Sequence, residues 1–202
     1  MTDFDSPDNG LFDPNMRWVV GHQLYGAANR EATDLLHRVI EILQDRNVAE
    51  VDEVVASVIE RATAAIHAIT ATMRYAASLT PVIYGEQVRP TMAPPRCPNE
   101  LTGGQNLDHA AYRAAIAGFL AQLGTGYNEL ARTAPQCARA RDALLQADLY
   151  DLEEHVALTY ALVGSAAALD EHDHGSAVAA LRRMLSARTA KYSPMLRISV
   201  QW

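Results

Sequence analysis

Aromatic side chains make up only 6% of this 202-residue chain, so its interior must be filled by small aliphatic residues and not by stacked rings. Cysteine is scarcer still. Cys97 and Cys137 are too few for a disulfide framework and lack zinc spacing, which leaves them as reduced, incidental thiols. Basic residues are outnumbered, 17 Lys and Arg against 24 Asp and Glu, and the formal net charge is −7. With no basic cluster to offset that balance, a nucleic-acid partner is excluded. The sequence shows no run of about 18 apolar residues, so no membrane span is expected. The acidic opening, Met1 to Gly10, has no apolar core and does not read as a signal peptide, so a cytoplasmic protein is expected.

What is present is ordinary globular material, 49% hydrophobic and 20% charged, of a length suited to one domain. Heavy use of Ala, Leu, Val and Glu predicts a mostly helical fold with a small-residue core. After a polar leader over residues 1–14, Asp13-Pro14 reads as an N-cap followed by a first-turn proline. Trp18, His22, Tyr25, Asn29, Ala32, Leu36, Val39, Ile40 and Leu43 then recur at three- and four-residue steps, predicting one inward stripe that includes His22. Val51, Val54, Val55, Val58, Ile59, Ala62, Ala65, Ile66, Ile69 and Met73 give a second, cleaner helix, antiparallel to the first.

Thr80-Pro81 ends that helix. The prolines crowded into Pro81, Pro90, Pro94, Pro95 and Pro98 predict a long loop over 79–106, which is longer than a bundle connection needs. Because it carries Tyr84, Glu86, Arg89 and Gln105, it reads as functional. Helices follow over Leu107–Leu123 and from Tyr127 to a break near Pro135. Another helix, capped by Asp148 or Asp151, turns Leu152, His155, Val156, Thr159, Leu162, Val163 and Ala166 inward. Asp170 to Gly175 forms a polar turn, and Ala177–Leu185 a last short helix before Pro194. The predicted fold is an all-α, single-domain helical bundle over residues 15–202.

A histidine on an apolar stripe is most often a satisfied core residue. Two of them on separate helices, His22 and His155, can instead hold a flat cofactor between them, since one axial imidazole is the usual tether of haem iron in an oxygen-handling site. Arg89 offers a bidentate fork for a carboxylate, against the plainer reading of a solvated loop arginine.

These residues resemble the tryptophan 2,3-dioxygenase superfamily, the histidine-ligated haem-dependent aromatic oxygenases. The likeness runs from about residue 16 to 202 in three stretches. The first is Trp18-Val19-Val20-Gly21-His22-Gln23-Leu24-Tyr25. The second comprises Leu79-Thr80-Pro81, Tyr84, Arg89 and Leu101-Thr102-Gly103-Gly104-Gln105-Asn106. The third runs from His155-Val156-Ala157-Leu158 through Val163-Gly164, Gly175-Ser176-Ala177-Val178 and Leu181-Arg182-Arg183 to Tyr192-Ser193-Pro194-Met195-Leu196.

The resemblance implies a bundle enclosing haem b, with His155 as the iron ligand and His22 as the distal active-site histidine. It further implies cofactor contacts from Trp18 and Gly103, with the substrate bound by Arg89, Tyr25, Tyr84, Thr102 and Ser176. The expected partners are an aromatic small molecule, dioxygen or peroxide, and further copies of the chain in a homo-oligomer. Asp151-Leu152 replaces the family's Trp-Arg pair before the proximal histidine, and Ala161 replaces an arginine after it, so a changed substrate pocket is implied. Oxygenation of a tryptophan- or indole-like amino acid is the first expectation, and hydroxylation of a tyrosine or phenol the second. Two other classes stay open: a non-haem metal enzyme using Asp170-Glu171-His172-Asp173-His174, and a non-catalytic helical haem-binding module.

Overall fold

The computed structural model describes residues 13–96, 106–164 and 174–197, and among them every regular element is helical. Helix α1 spans Pro14–Gln44, α2 Asp52–Ala76, α4 Leu107–Leu123, α5 Tyr127–Thr133, α6 Pro135–Thr159 and α7 His174–Tyr192; α3 is a single turn, Pro81–Ile83. The all-α expectation holds. Residues 1–12, Cys97, Thr102, Gly103 and the segment 170–173 lie outside the described residues, and the side chain of Ser176 is likewise undescribed.

Contacts far apart in sequence set the helix directions. Arg17 donates to the Ser78 carbonyl at 2.7 Å and Gly21 abuts Ala76, while Glu31 lies beside Arg61, so α1 and α2 run antiparallel as expected. Gly26 abuts Asp108 and Gly118 abuts Ile40, making α4 parallel to α1. Helix α6 runs parallel to α2, because Asp52 meets Cys137 and Thr70 meets Asp151. Helix α7 returns alongside α6. The core between them is aliphatic: Leu36, Val39, Ile59, Ile66, Ile116, Leu144 and Leu145 are fully buried around Phe119, each burial worth roughly 1.5–3 kcal/mol relative to exposure.

The start of α1 follows its sequence signal, with the Asp13 carboxylate accepting from the Asn15 amide at 2.9 Å and proline in the first turn. Helix α6 does not. It begins at Pro135, so Asp148 and Asp151 are mid-helix and buried, and neither caps it. The capping carboxylate comes from another helix: Asp52 accepts the amides of Gln136 and Cys137 at 3.1 and 2.6 Å. Burial alone would raise the Asp52 carboxyl, but those amides bring it below its usual range. A group with a depressed folded pKa stabilises the fold above its unfolded value, about 3.9, and loses that contribution as pH falls through the folded one. Asp52→Ala should therefore cost about 1 kcal/mol at neutral pH, as for other helix caps. The difference from the parent should vanish in denaturant melts run below the folded pKa.

The expected loop after α2 is largely helical over 81–92. Thr80 caps Pro81 by accepting the Ile83 amide at 3.2 Å, and two further turns, Tyr84–Val88 and Arg89–Met92, continue it. Prolines at first-turn positions seed these turns instead of breaking them. Likewise α7 runs past Leu185 to Tyr192, because Arg188 and Tyr192 find buried partners on α6. Helix α2 is long and largely apolar. By length and composition it is apolar enough to cross a membrane, with mean hydropathy 1.3, yet Val55, Ile59, Ile66 and Ile69 spend that apolarity on the bundle core. Cys137 is a free, buried thiol, pushed up to about 12 by burial and by Asp52.

Gly21 marks the tightest approach of α1 to α2. A Cβ there would lie 2.5 Å from the Ala76 Cβ, with backbone behind it. Gly21→Ala should push the helices apart next to His22 and lower the urea midpoint. The overpacking cost of about 1–3 kcal/mol exceeds the gain in helix propensity of about 1 kcal/mol.

Candidate functional site

The inner face of α6 carries polar groups where a bundle helix would ordinarily present aliphatic ones. Arg141, Asp148 and His155 recur at seven-residue spacing, with Asp151 between the last two, so all four share one stripe. Each meets a different part of the fold. Arg141 is fully buried and donates to the carbonyls of Leu123 (2.5 Å), Thr125 (2.6 Å) and Met195 (2.8 Å), tying off the C-terminus of α4 and the turn beyond α7.

Asp148, also fully buried, is the hub. The Tyr112 and Tyr192 hydroxyls each donate to it at 2.7 Å, Arg188 donates at 3.2 Å and Arg113 at 3.3 Å. Burial and this carboxylate push both phenols well above their ordinary range. One turn on, Asp151 is buried against α2 and accepts the Thr70 hydroxyl at 2.8 Å.

Nearer the end of α6, His155 is half-buried and makes no hydrogen bond among the described residues. Burial, then the Arg188 charge, then His22 hold its pKa below the usual value, so its imidazole is neutral. His22 lies within electrostatic reach on α1, yet it is exposed and not on the buried stripe that its spacing predicts. Close packing of α1 against α2 and α4 seals the stripe from Asn29 through Val39, while Trp18 and Tyr25 above it stay half-buried. The His22 Nδ1 sits 2.8 Å from the Trp18 carbonyl, which can only accept, so Nδ1 carries a proton and donates it to that bond.

Aromatic groups frame this end. The Trp18 ring lies 4.3 Å from that of His22 and 5.4 Å from that of Tyr84, linking α1 to the turn that leads to Arg89. Arg89 is half-buried at the head of the turn Arg89–Met92. Tyr25 is raised to about 12 by burial and by Asp151, and its ring lies 6.3 Å from His109. Sequence reasoning missed His109. Its signal was there, for His109, Tyr112, Ile116, Phe119 and Leu123 trace one helical stripe of α4. Burial first, then Arg113, His155 and Arg188 lower it to about 4, so it too is neutral.

Three imidazoles from three helices, those of His109 and His155 held neutral, thus gather at one end of the bundle beside tryptophan and tyrosine rings. Unprotonated ring nitrogen is the form that ligates iron, and at least one such imidazole, His155, is not committed elsewhere. The donor set fits a flat iron porphyrin held by a single axial ligand. Among the described residues no group of three His, Cys, Asp or Glu side chains could hold a bare metal ion. No curated protein and no solved structure matches the chain. A family model described as SfmD 3-methyl-L-tyrosine peroxygenase matches residues 3–142, a span that includes His22, Arg89 and His109 and stops before His155.

Proposed function

Since the chain belongs to the SfmD 3-methyl-L-tyrosine peroxygenase family and is therefore a haem-dependent oxygenase of the oxidoreductase class, we propose that it hydroxylates the ring of a tyrosine-like amino acid with hydrogen peroxide. In that reaction a ring C–H becomes C–OH and the second peroxide oxygen leaves as water. The phenolic substrate moves ahead of the indole one because the family is described by a tyrosine derivative. The observation that carries the reading is the neutral imidazole of His155 within electrostatic reach of His22, whose own ring lies against Trp18 and, beyond it, Tyr84.

His155 would hold the iron, and haem when bound supplies the redox chemistry on peroxide. His22, oriented by the hydrogen bond at Nδ1, would take a proton at Nε2 from the incoming peroxide and return it to the departing water. Trp18 would line the cofactor, while Tyr25 and Tyr84 would pack the substrate ring. By resemblance Gly103 joins the cofactor contacts, Thr102 and Ser176 join the substrate contacts, and Arg89 is nominated for the substrate carboxylate. A homo-oligomer and a cytoplasmic location belong to the same proposal. Met16, Val19 and Val82, exposed on α1 and α3, offer apolar surface for contact between copies.

The test is turnover of haem-loaded protein with isotopically labelled peroxide and equal concentrations of L-tyrosine, 3-methyl-L-tyrosine and L-tryptophan, read by mass spectrometry. A hydroxylated phenol carrying the peroxide label is expected. Label drawn from dioxygen, or turnover of tryptophan alone, would restore the indole oxygenase reading.

A further inference from the structure

Two buried charges of opposite sign lie close together below the histidines without pairing. Asp151 accepts from one neutral donor, the Thr70 hydroxyl, and no cation lies within ion-pairing distance of it among the described residues. Arg188, equally buried, reaches only Asp148, and only through Nη1, at 3.2 Å to the carboxylate and 3.4 Å to the carbonyl. Its hydrogen bonds among the described residues all run through Nη1. Asp148 and Asp151 are one helical turn apart on one face of α6, so the guanidinium anchored on the first stands within a turn of the second.

A third buried group, linked to Asp151 through Tyr25, is also short of a partner. Asn29 is fully buried, its Nδ2 donates to the Tyr25 carbonyl at 2.8 Å, and its Oδ1 accepts nothing. The Tyr25 phenol lies within reach of both Asn29 and Asp151. Burial raises the Asp151 carboxyl to about 6, as befits a carboxylate whose charge lacks a matching cation.

The Asp151 and Asn29 side therefore lacks a multivalent N–H donor, while Arg188, held to Asp148 through Nη1, has further N–H groups to offer a second acceptor. An α-amino acid carries both groups on one carbon. We propose that Arg188 and Asp151 form the head-group site for a zwitterionic α-amino acid. The ammonium would be shared by Asp151 and the Asn29 Oδ1, and the carboxylate would be held by Arg188 in place of Arg89. His155 lies four residues beyond Asp151, about one turn or 5.4 Å along α6, so an aromatic side chain rising from this head group reaches the histidine level. The assignment rests on the amino-acid oxygenase reading and names its substrate anchor.

Calorimetric titration separates the two claims. Haem-loaded protein is titrated with L-tyrosine, with tyramine, which lacks the carboxylate, and with 3-(4-hydroxyphenyl)propionate, which lacks the ammonium. The parent should bind each truncated analogue at least about tenfold more weakly than L-tyrosine, a loss of about 1.4 kcal/mol. Asp151→Asn keeps the shape and the Thr70 contact, so it should fold. It should lose about tenfold for L-tyrosine and tyramine with the propionate unchanged. Arg188→Gln should show the converse, losing L-tyrosine and the propionate but sparing tyramine.

Equal weakening of all three ligands by Asp151→Asn, no effect of it on any, or no binding by the parent overturns the site. So does a carboxylate-specific loss in Arg89→Gln that is missing from Arg188→Gln. Failure to take up haem while the ligand discrimination persists would sink the oxygenase reading and leave the head-group site standing.

Discussion

Haem-loaded His155→Ala should lose the Soret band of the parent and, with it, all peroxide-dependent hydroxylation. The imidazole is neutral and makes no hydrogen bond among the described residues, so none of those bonds has to break for it to ligate iron, and its removal leaves no other histidine on α6. His22→Ala should behave differently. It should keep a Soret band while slowing turnover by about 10²–10⁴-fold, the range of a lost general acid-base group. Should His155→Ala retain haem while His22→Ala or His109→Ala loses it, the ligand lies on α1 or α4 and the axial assignment is wrong. Added imidazole offers a second reading, since it should restore the Soret band of His155→Ala if the defect is the missing ligand and not the fold.

The largest effect on stability is expected at Asp148. Asp148→Leu removes the carboxylate that two tyrosines and two arginines converge on and strands Arg188 as a buried, unpaired cation. Breaking a buried pair from one side costs about 3–5 kcal/mol, against a total stability for a domain of about 5–15 kcal/mol. The variant should melt far below the parent or fail to fold. Tyr192→Phe gives the graded companion, losing one hydroxyl donor and about 0.5–1.5 kcal/mol. Hydrogen exchange should show the protection of α7 falling first, since Arg188 and Tyr192 are its polar anchors on α6. A denaturant midpoint for Asp148→Leu equal to that of the parent would mean that the hub contributes nothing net.

Legibility in the sequence followed the character of each helix interior. Helices α1, α2 and α4 could be read because aliphatic residues mark their inward faces, and the pattern Val55, Ile59, Ile66, Ile69 needs no knowledge of its partners. Helix α6 was misread because its interior stripe holds Arg141, Asp148 and Asp151. Local reasoning places such residues at caps and surfaces, and their partners Leu123, Tyr112, Arg188 and Thr70 sit on other helices. At the site, His22 and His155 could be picked out as histidines at helical spacing. His109 was passed over, and Arg188 fell beyond the expected end of α7. The exposure of His22 could not be foreseen either, since periodicity tells which face of a helix turns inward but not how far up the axis the core extends.

The column of unlike polar groups on α6 also restricts how the chain can change length. A single residue inserted between Arg141 and His155 would rotate everything after it by about 100°, swinging His155 off the inner face while Arg141 kept its carbonyls. A deletion would do the same in the opposite sense. A whole-heptad insertion would restore the face but lift His155 roughly 10 Å above His22. Between these two positions the length of the helix is therefore fixed as closely as its buried polar residues are, and it measures the distance from the anchored end of the bundle to the imidazole at the other.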